Sequence, residues 1–287
     1  MKVNEIRDAL LTGERALFKS KHLKVVDSVF EEGESTLKES ADLVLENDIF
    51  RWKYPLWYCK NVKAHHVTLL DTARSGIWYT HNIQMHHCSI QAPKIFRRAS
   101  KILLEDVHFA HAQETLWNCR EITLNQVTVN GDYFAMNSCD IQATDLTIMG
   151  NYAFDGASDI EIDGAKIISK DAFWNCENVV VKNAVIVGEY LGWNSKNVTF
   201  INCTIESNQG LCYMNNVKLI NCKVIHTDLA FEYSTAEATI TTKVDSIKNP
   251  IKAHIQAASV DELILDDELI DFNQVKIMNT KGEKINV

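Results

Sequence analysis

The sequence predicts an all-β protein, a right-handed parallel β-helix of about eleven or more coils of about 19 residues. Three observations predict it. A β-branched or aliphatic residue returns at Leu23, Leu43, Val62, Ile83, Ile102, Ile122, Ile141, Ile160, Val179, Val198 and Val217, and a fixed period of this length marks a repeat architecture. Relative to that anchor, the residue two later is apolar throughout and the residue seven later is nearly always Ile, Val, Leu or Phe; period-two alternation belongs to strands with one buried face. Four residues after the anchor stand Asp27, Asn47, His66, His87, Asp106, Gln126, Asp145, Gly164, Asn183, Asn202 and Asn221. These types tolerate a left-handed backbone or bond their own main chain, so a tight bend separates two short strands.

Taken in chain order, Asn4 to Phe18 has helix-like spacing at Ile6, Leu10 and Leu11 and is expected to cover the first coil, since exposed strand edges at the ends of a stack need capping. The expected division is an N-terminal cap at residues 1–14, coils over 15–230, and final irregular coils with a C-terminal cap over 231–287. Within each coil the two strands lead through a longer polar turn to a third short strand, typified by LWNC. A leucine-rich repeat would have a helical second half, and hexapeptide or pentapeptide solenoids keep strict multiples of six or five, which these anchors do not.

Composition bounds the function. The chain of 287 residues is 46% hydrophobic, with 29 basic and 38 acidic residues and a formal charge of −9. That balance opposes a sequence-independent grip on nucleic acid. Only 3 prolines and 11 glycines occur, and no linker-like run divides the chain. The amino-terminal residues are too charged for a signal peptide and no long apolar run follows, so no membrane partner and a cytoplasmic location are expected, with the 8 cysteines reduced.

The repeated lines LWYCKN from Leu56 and LWNC from Leu116 resemble the pectin-lyase-like superfamily, and within it a bacterial family of single-domain right-handed parallel β-helix proteins described only as a domain of unknown function. The resemblance implies the fold. It leaves the activity open among polysaccharide lyases, glycosidases, esterases and proteins without a reaction, and the Gly-His-Gly and Arg-Ile-Lys motifs of pectin-degrading glycosidases are missing.

Equivalent positions in adjacent coils lie about 4.8 Å apart, so sites are sought as columns. Five residues before the anchor stand Trp57, Trp78, Arg97, Trp117, Trp174 and Trp193, sharing the column with Lys38, Met136 and Asp155. Charged members argue that this column faces outward, where an apolar ribbon one strand apart marks a ligand or partner. The next column adds Tyr58, Tyr79, Arg98, Asn118, Asn137, Asn175, Asn194 and Tyr213, donors and acceptors suited to hydroxyl groups. Arg97 and Arg98 are expected to neutralise an anionic sugar.

Asp155 interrupts the tryptophans; on an aromatic floor its neutral form would be favoured, making it the catalytic acid, with Asp132 or Asp171 as the ionised partner. His65, His86 and Glu105 recur at one repeat position and are weak metal candidates; the alternative is that they face water. No cofactor is expected. The function expected is oligosaccharide binding along the aromatic and asparagine face, with glycosidase or lyase chemistry as its catalytic extension. The alternative is a non-enzymatic scaffold that uses the same face for self-association or another protein.

Overall fold

The computed structural model describes residues 4–285, built of strands joined by turns and bends, with two short 3-10 segments. It is a parallel β-solenoid of about 15 turns of about 19 residues. The chain divides into two compact units, residues 1–149 and 150–287.

In the first unit each anchor pairs in parallel with the next: Leu23 with Leu43, Leu43 with Val62, Val62 with Ile83, Ile83 with Ile102, Ile102 with Ile122 and Ile122 with Ile141. In the second, Ile160, Val179, Val198 and Val217 follow the same register. In both units every anchor is buried, as are the residues two and seven later, so the alternation read from the sequence is the interior of the coil. Aromatic residues in the interior stack coil on coil, with Phe30 and Phe50 centroids 4.3 Å apart in the first unit and Phe154 and Phe173 5.0 Å apart in the second. The bend residues from Asp27 to Asn221 all have positive φ.

The structure corrects three expectations. Asn4–Arg7 is a strand, paired in parallel with Lys21–Val26, and Leu10–Leu11 pairs with Val29–Phe30. The amino-terminal segment is therefore the first coil, with Asp8 in a left-handed bend like that of Asp27, and forms no helical cap. Among the described residues the third segment is a strand at Ile77–Trp78 and Phe96–Arg97 and again at Lys243–Lys248 and Ser259–Ile264. Elsewhere left-handed backbone recurs at alternate residues, as at Tyr133, Ala135 and Asn137, which makes it a chain of turns. Beyond residue 230 the spacing varies but the register survives, with Val217 paired to Ala236, Ala236 to Ala253 and Ala253 to Val275. There the chain turns back on itself, the Ile285 amide donating to the Ile277 carbonyl.

A column absent from the reading of the sequence lies immediately before the anchor. His22, Asp42, Asn61, Asn82, Lys101, Glu121 and Asp140 in the first unit, and Asp159, Asn178, Asn197 and Asn216 in the second, all have positive φ. Amides run up it: Asn82 donates to Asn61 and Asn61 to Asp42 at 2.9 and 2.8 Å, and Asn216 donates to Asn197 and Asn197 to Asn178. Asparagine fits because it combines tolerance of αL with a side chain that both donates and accepts. The repeated dipeptides Asn61-Val62, Asn82-Ile83, Asn178-Val179, Asn197-Val198 and Asn216-Val217 were its signal. Asn61→Ala loses two ladder bonds and the αL preference together and is expected to cost about 1–3 kcal/mol by chemical denaturation, against about half a kilocalorie or less for a surface change such as Lys63→Ala.

The eight cysteines are free thiols, seven of them buried. Burial pushes the Cys59 and Cys119 thiols up to about 12, as expected of small core hydrophobes rather than nucleophiles. Among the described residues no helix is long and apolar enough to cross a membrane.

Candidate functional site

The tryptophan column faces outward and half-buried. Its rings lean on the next coil, with indole N–H groups donating to backbone carbonyls: Trp78 to Lys94 at 2.9 Å and Trp117 to Tyr133 at 2.7 Å in the first unit, Trp174 to Tyr190 at 2.6 Å and Trp193 to Gln209 at 2.7 Å in the second. Trp57 donates in the same way to Ser75. One-strand spacing also stacks the rings, with Trp57 and Trp78 centroids 5.2 Å apart and Trp174 and Trp193 5.7 Å apart, within 8° of parallel in both pairs. Where the rings stack, the column presents their edges rather than their faces to solvent.

In the first unit the stack is closed by cations. The Lys38 ammonium lies 5.8 Å from the Trp57 centroid, and the Arg97 guanidinium sits between Trp78 and Trp117 at 4.8 and 4.7 Å from their centroids. Arg97 also bonds Glu114 at 3.2 Å, and Lys94 bonds the same carboxylate at 3.1 Å. Two cations thus share one carboxylate, and the Arg97 guanidinium is held by Trp78, Trp117 and Glu114. Arg97→Ala removes two cation–π contacts and a half-buried ion pair, so it is expected to lower stability by about 2 kcal/mol, read as a shift in urea midpoint with unchanged slope.

The neighbouring column is a ledge of left-handed residues: Tyr58, Tyr79, Arg98, Asn118 and Asn137 in the first unit, Asn175, Asn194 and Tyr213 in the second. Tyr58 and Tyr213 are 45% and 40% exposed, and the asparagines and Arg98 are exposed as well. Tyr58 stacks on Tyr79 at 4.7 Å. The ledge therefore offers phenol hydroxyls, amides and one guanidinium in register beside the indole edges.

The second unit breaks the ladder at Asp155. Trp174 stacks on Trp193 with one face; on the side toward the Asp155 coil Tyr152 meets it edge-on at 6.3 Å, and among the described residues no parallel ring or cation lies there. Asp155 is half-buried and accepts a hydrogen bond from the Asn175 amide at 2.8 Å. Asp171, in the adjacent coil, is 2% exposed, and its Oδ1 is buried without a hydrogen-bond partner. Burial raises the Asp171 carboxyl above the usual range, Lys170 and a hydrogen bond from Tyr152 oppose the rise, and the charges of Glu189 and Asp155 add to it. Of the two carboxylates, Asp171 is the more deeply buried and Asp155, which the sequence marked as the acid, is half-buried. Asp132, the other expected partner, belongs to the first unit.

The histidines do not converge. His65 pairs in register with His86 and His86 with Glu105; the two rings stack 4.9 Å apart and 9° from parallel, and His86 Nδ1 lies 3.0 Å from Glu105. Stacked rings direct their nitrogen lone pairs side by side in separate planes. Among the described residues no group of three or more His, Cys, Asp or Glu could hold a metal ion. Burial and the neighbouring His86 lower the pKa of His65.

Fold and ledge together define a parallel β-solenoid with an outward aromatic and amide ladder. The chain belongs to the family described as Protein of unknown function (DUF3737), whose model matches residues 4–278. No curated protein matches it. Among solved structures it is similar to the tailspike protein of Escherichia coli bacteriophage HK620, in complex with a pentasaccharide, at TM-score 0.51 and 9% identity, over 91% of this chain and 72% of that one. It is also similar to the mannuronan C-5 epimerase AlgE4 A-module of Azotobacter vinelandii, at TM-score 0.32 and 9% identity over 92% and 88% of the two chains. A third similarity is to PfbA, a surface adhesin of Streptococcus pneumoniae, at 0.34 and 9% over 98% and 87%.

Proposed function

We propose that this protein binds an oligosaccharide along the aromatic and asparagine ledge. The observation that carries the reading is Trp174: an outward, half-buried indole that stacks on Trp193 on one side and, among the described residues, meets only the edge of Tyr152 on the side toward Asp155, beside the exposed Asn175 and Asn194 and the half-exposed Tyr213. Flat apolar rings set among a few oriented donors and acceptors suit a ligand of C–H faces and hydroxyl groups. The tailspike of the same architecture was solved with a pentasaccharide, which supports sugar as a ligand class that such a stack can hold. Binding, rather than bond cleavage, is the activity proposed.

A glycan array tests it, followed by calorimetry on the strongest binder. Trp174→Ala is expected to weaken binding about tenfold or more while leaving the far-ultraviolet circular dichroism unchanged, and Tyr213→Ala, at the same unit's ledge, to weaken it less. An array without a binder, or equal affinity for wild type and Trp174→Ala, overturns the reading.

A further inference from the structure

The repeat supplies its own template for what belongs at the break in the tryptophan column at Asp155. In the first unit Arg97 occupies the tryptophan column, its guanidinium lies over Trp117 of the next coil, and it bonds Glu114, eight residues before that coil's anchor Ile122. The equivalent places in the second unit hold Asp155, Trp174 and Asp171, the last again eight residues before the anchor Val179. The aromatic floor and the acid are retained, but the cation is replaced by a second carboxylate. Asp171 keeps an oxygen that is buried and unpartnered, and nearby Lys170 is engaged with Glu189 at 3.1 Å.

We infer that the site formed by Asp155, Asp171 and Trp174 takes a ligand ammonium group in the place that the Arg97 guanidinium fills in the other unit, and that this group is the protonated amine of an amino-sugar oligomer. The inference rests on the oligosaccharide reading and names its substrate class as cationic, where the sequence suggested an anionic one. Two carboxylates supply charge-assisted acceptors, and the indole face supplies both a cation–π contact and a surface for the sugar ring. The formal charge of −9 favours a cationic ligand in the same direction.

The test is calorimetric titration of the full chain with a glucosamine tetramer, its N-acetylated counterpart and free arginine. The amine tetramer is expected to bind about tenfold or more tightly than the acetylated one, with affinity falling as salt rises. Asp171→Asn and Asp155→Asn should each remove most of that preference. Because burying an altered Asp171 could impair folding, Asp155→Arg is the decisive variant: it rebuilds the Arg97 arrangement with Asp171 as acceptor. It should raise the melting temperature and abolish the preference for the amine. Equal affinity for the two tetramers, a preference that survives Asp155→Arg, or arginine binding as well as the amine tetramer each overturns the inference. Equal binding of both tetramers that is lost in Trp174→Ala would overturn it while leaving the oligosaccharide reading standing, whereas arginine binding without either tetramer would count against both.

Discussion

Asp48→Asn is expected to stabilise the protein at pH 8 by about 4 kcal/mol and to flatten part of its pH dependence. Asp48 follows the bend at Asn47 and its side chain points into the coil, where it is fully buried; Oδ1 accepts from the Ser28 amide at 2.9 Å and Oδ2 has no partner. Burial is the main cause that raises its pKa from 3.8 to about 7; backbone bonds from Ser28 and Glu46 oppose the rise, and the charges of Asp27 and Glu46 add to it. Between these two values the folded protein holds a proton that the unfolded chain has lost. Stability from this group is thus fully present below about 3.8, falls as pH rises through the window, and is lost above about 7. Asparagine keeps the bond from Ser28 and cannot ionise. Urea unfolding of both proteins from pH 5 to pH 8 checks this: the difference between them should grow with pH, and a constant difference would show that Asp48 is not the buried acid described.

Phe50→Ala should cost about 3–5 kcal/mol, the range for truncating a well-packed aromatic core residue. Phe50 is fully buried, lies 4.3 Å from Phe30 with the rings 6° from parallel, and pairs in register with Leu69 on its other side. A rigid stack of coils at strand spacing has little freedom to collapse into the space, because each neighbour is held by ladder hydrogen bonds above and below. Phe50→Leu should cost less than half as much. The urea midpoint measures both, and a loss below about 1 kcal/mol for alanine would contradict the packing described.

The fold was legible because a solenoid repeats its constraints. Leu23 to Val217 share one environment, so each copy confirms the others, and the bend from Asp27 to Asn221 declares itself by residue type. The amino-terminal coil was misread because Ile6, Leu10 and Leu11 in isolation fit a helical period, and only pairing with Lys21–Val26 decides for strand. At the ledge, the outward direction of the tryptophans followed from Lys38, Arg97 and Asp155 sharing their column. Their orientation did not, since it depends on carbonyls such as those of Lys94 and Tyr190, 16 residues downstream. The partner of Arg97 was hidden for the same reason: Glu114 occupies a different repeat position in the next coil. Desolvation likewise falls on Asp171 through the turn that buries it, which residue type alone does not reveal.

The central claim is that an oligosaccharide lies on the ledge beside Trp174. A crystal structure of the protein soaked with the strongest glycan-array binder tests it most directly. The account predicts a sugar ring against Trp174 on the side toward Asp155, with hydroxyl or amine groups bonded to Asn175, Asp155 and Asp171. Density instead along the sheet groove between Asn61, Lys63, Asn82 and Gln84, with Trp174 untouched, would contradict it.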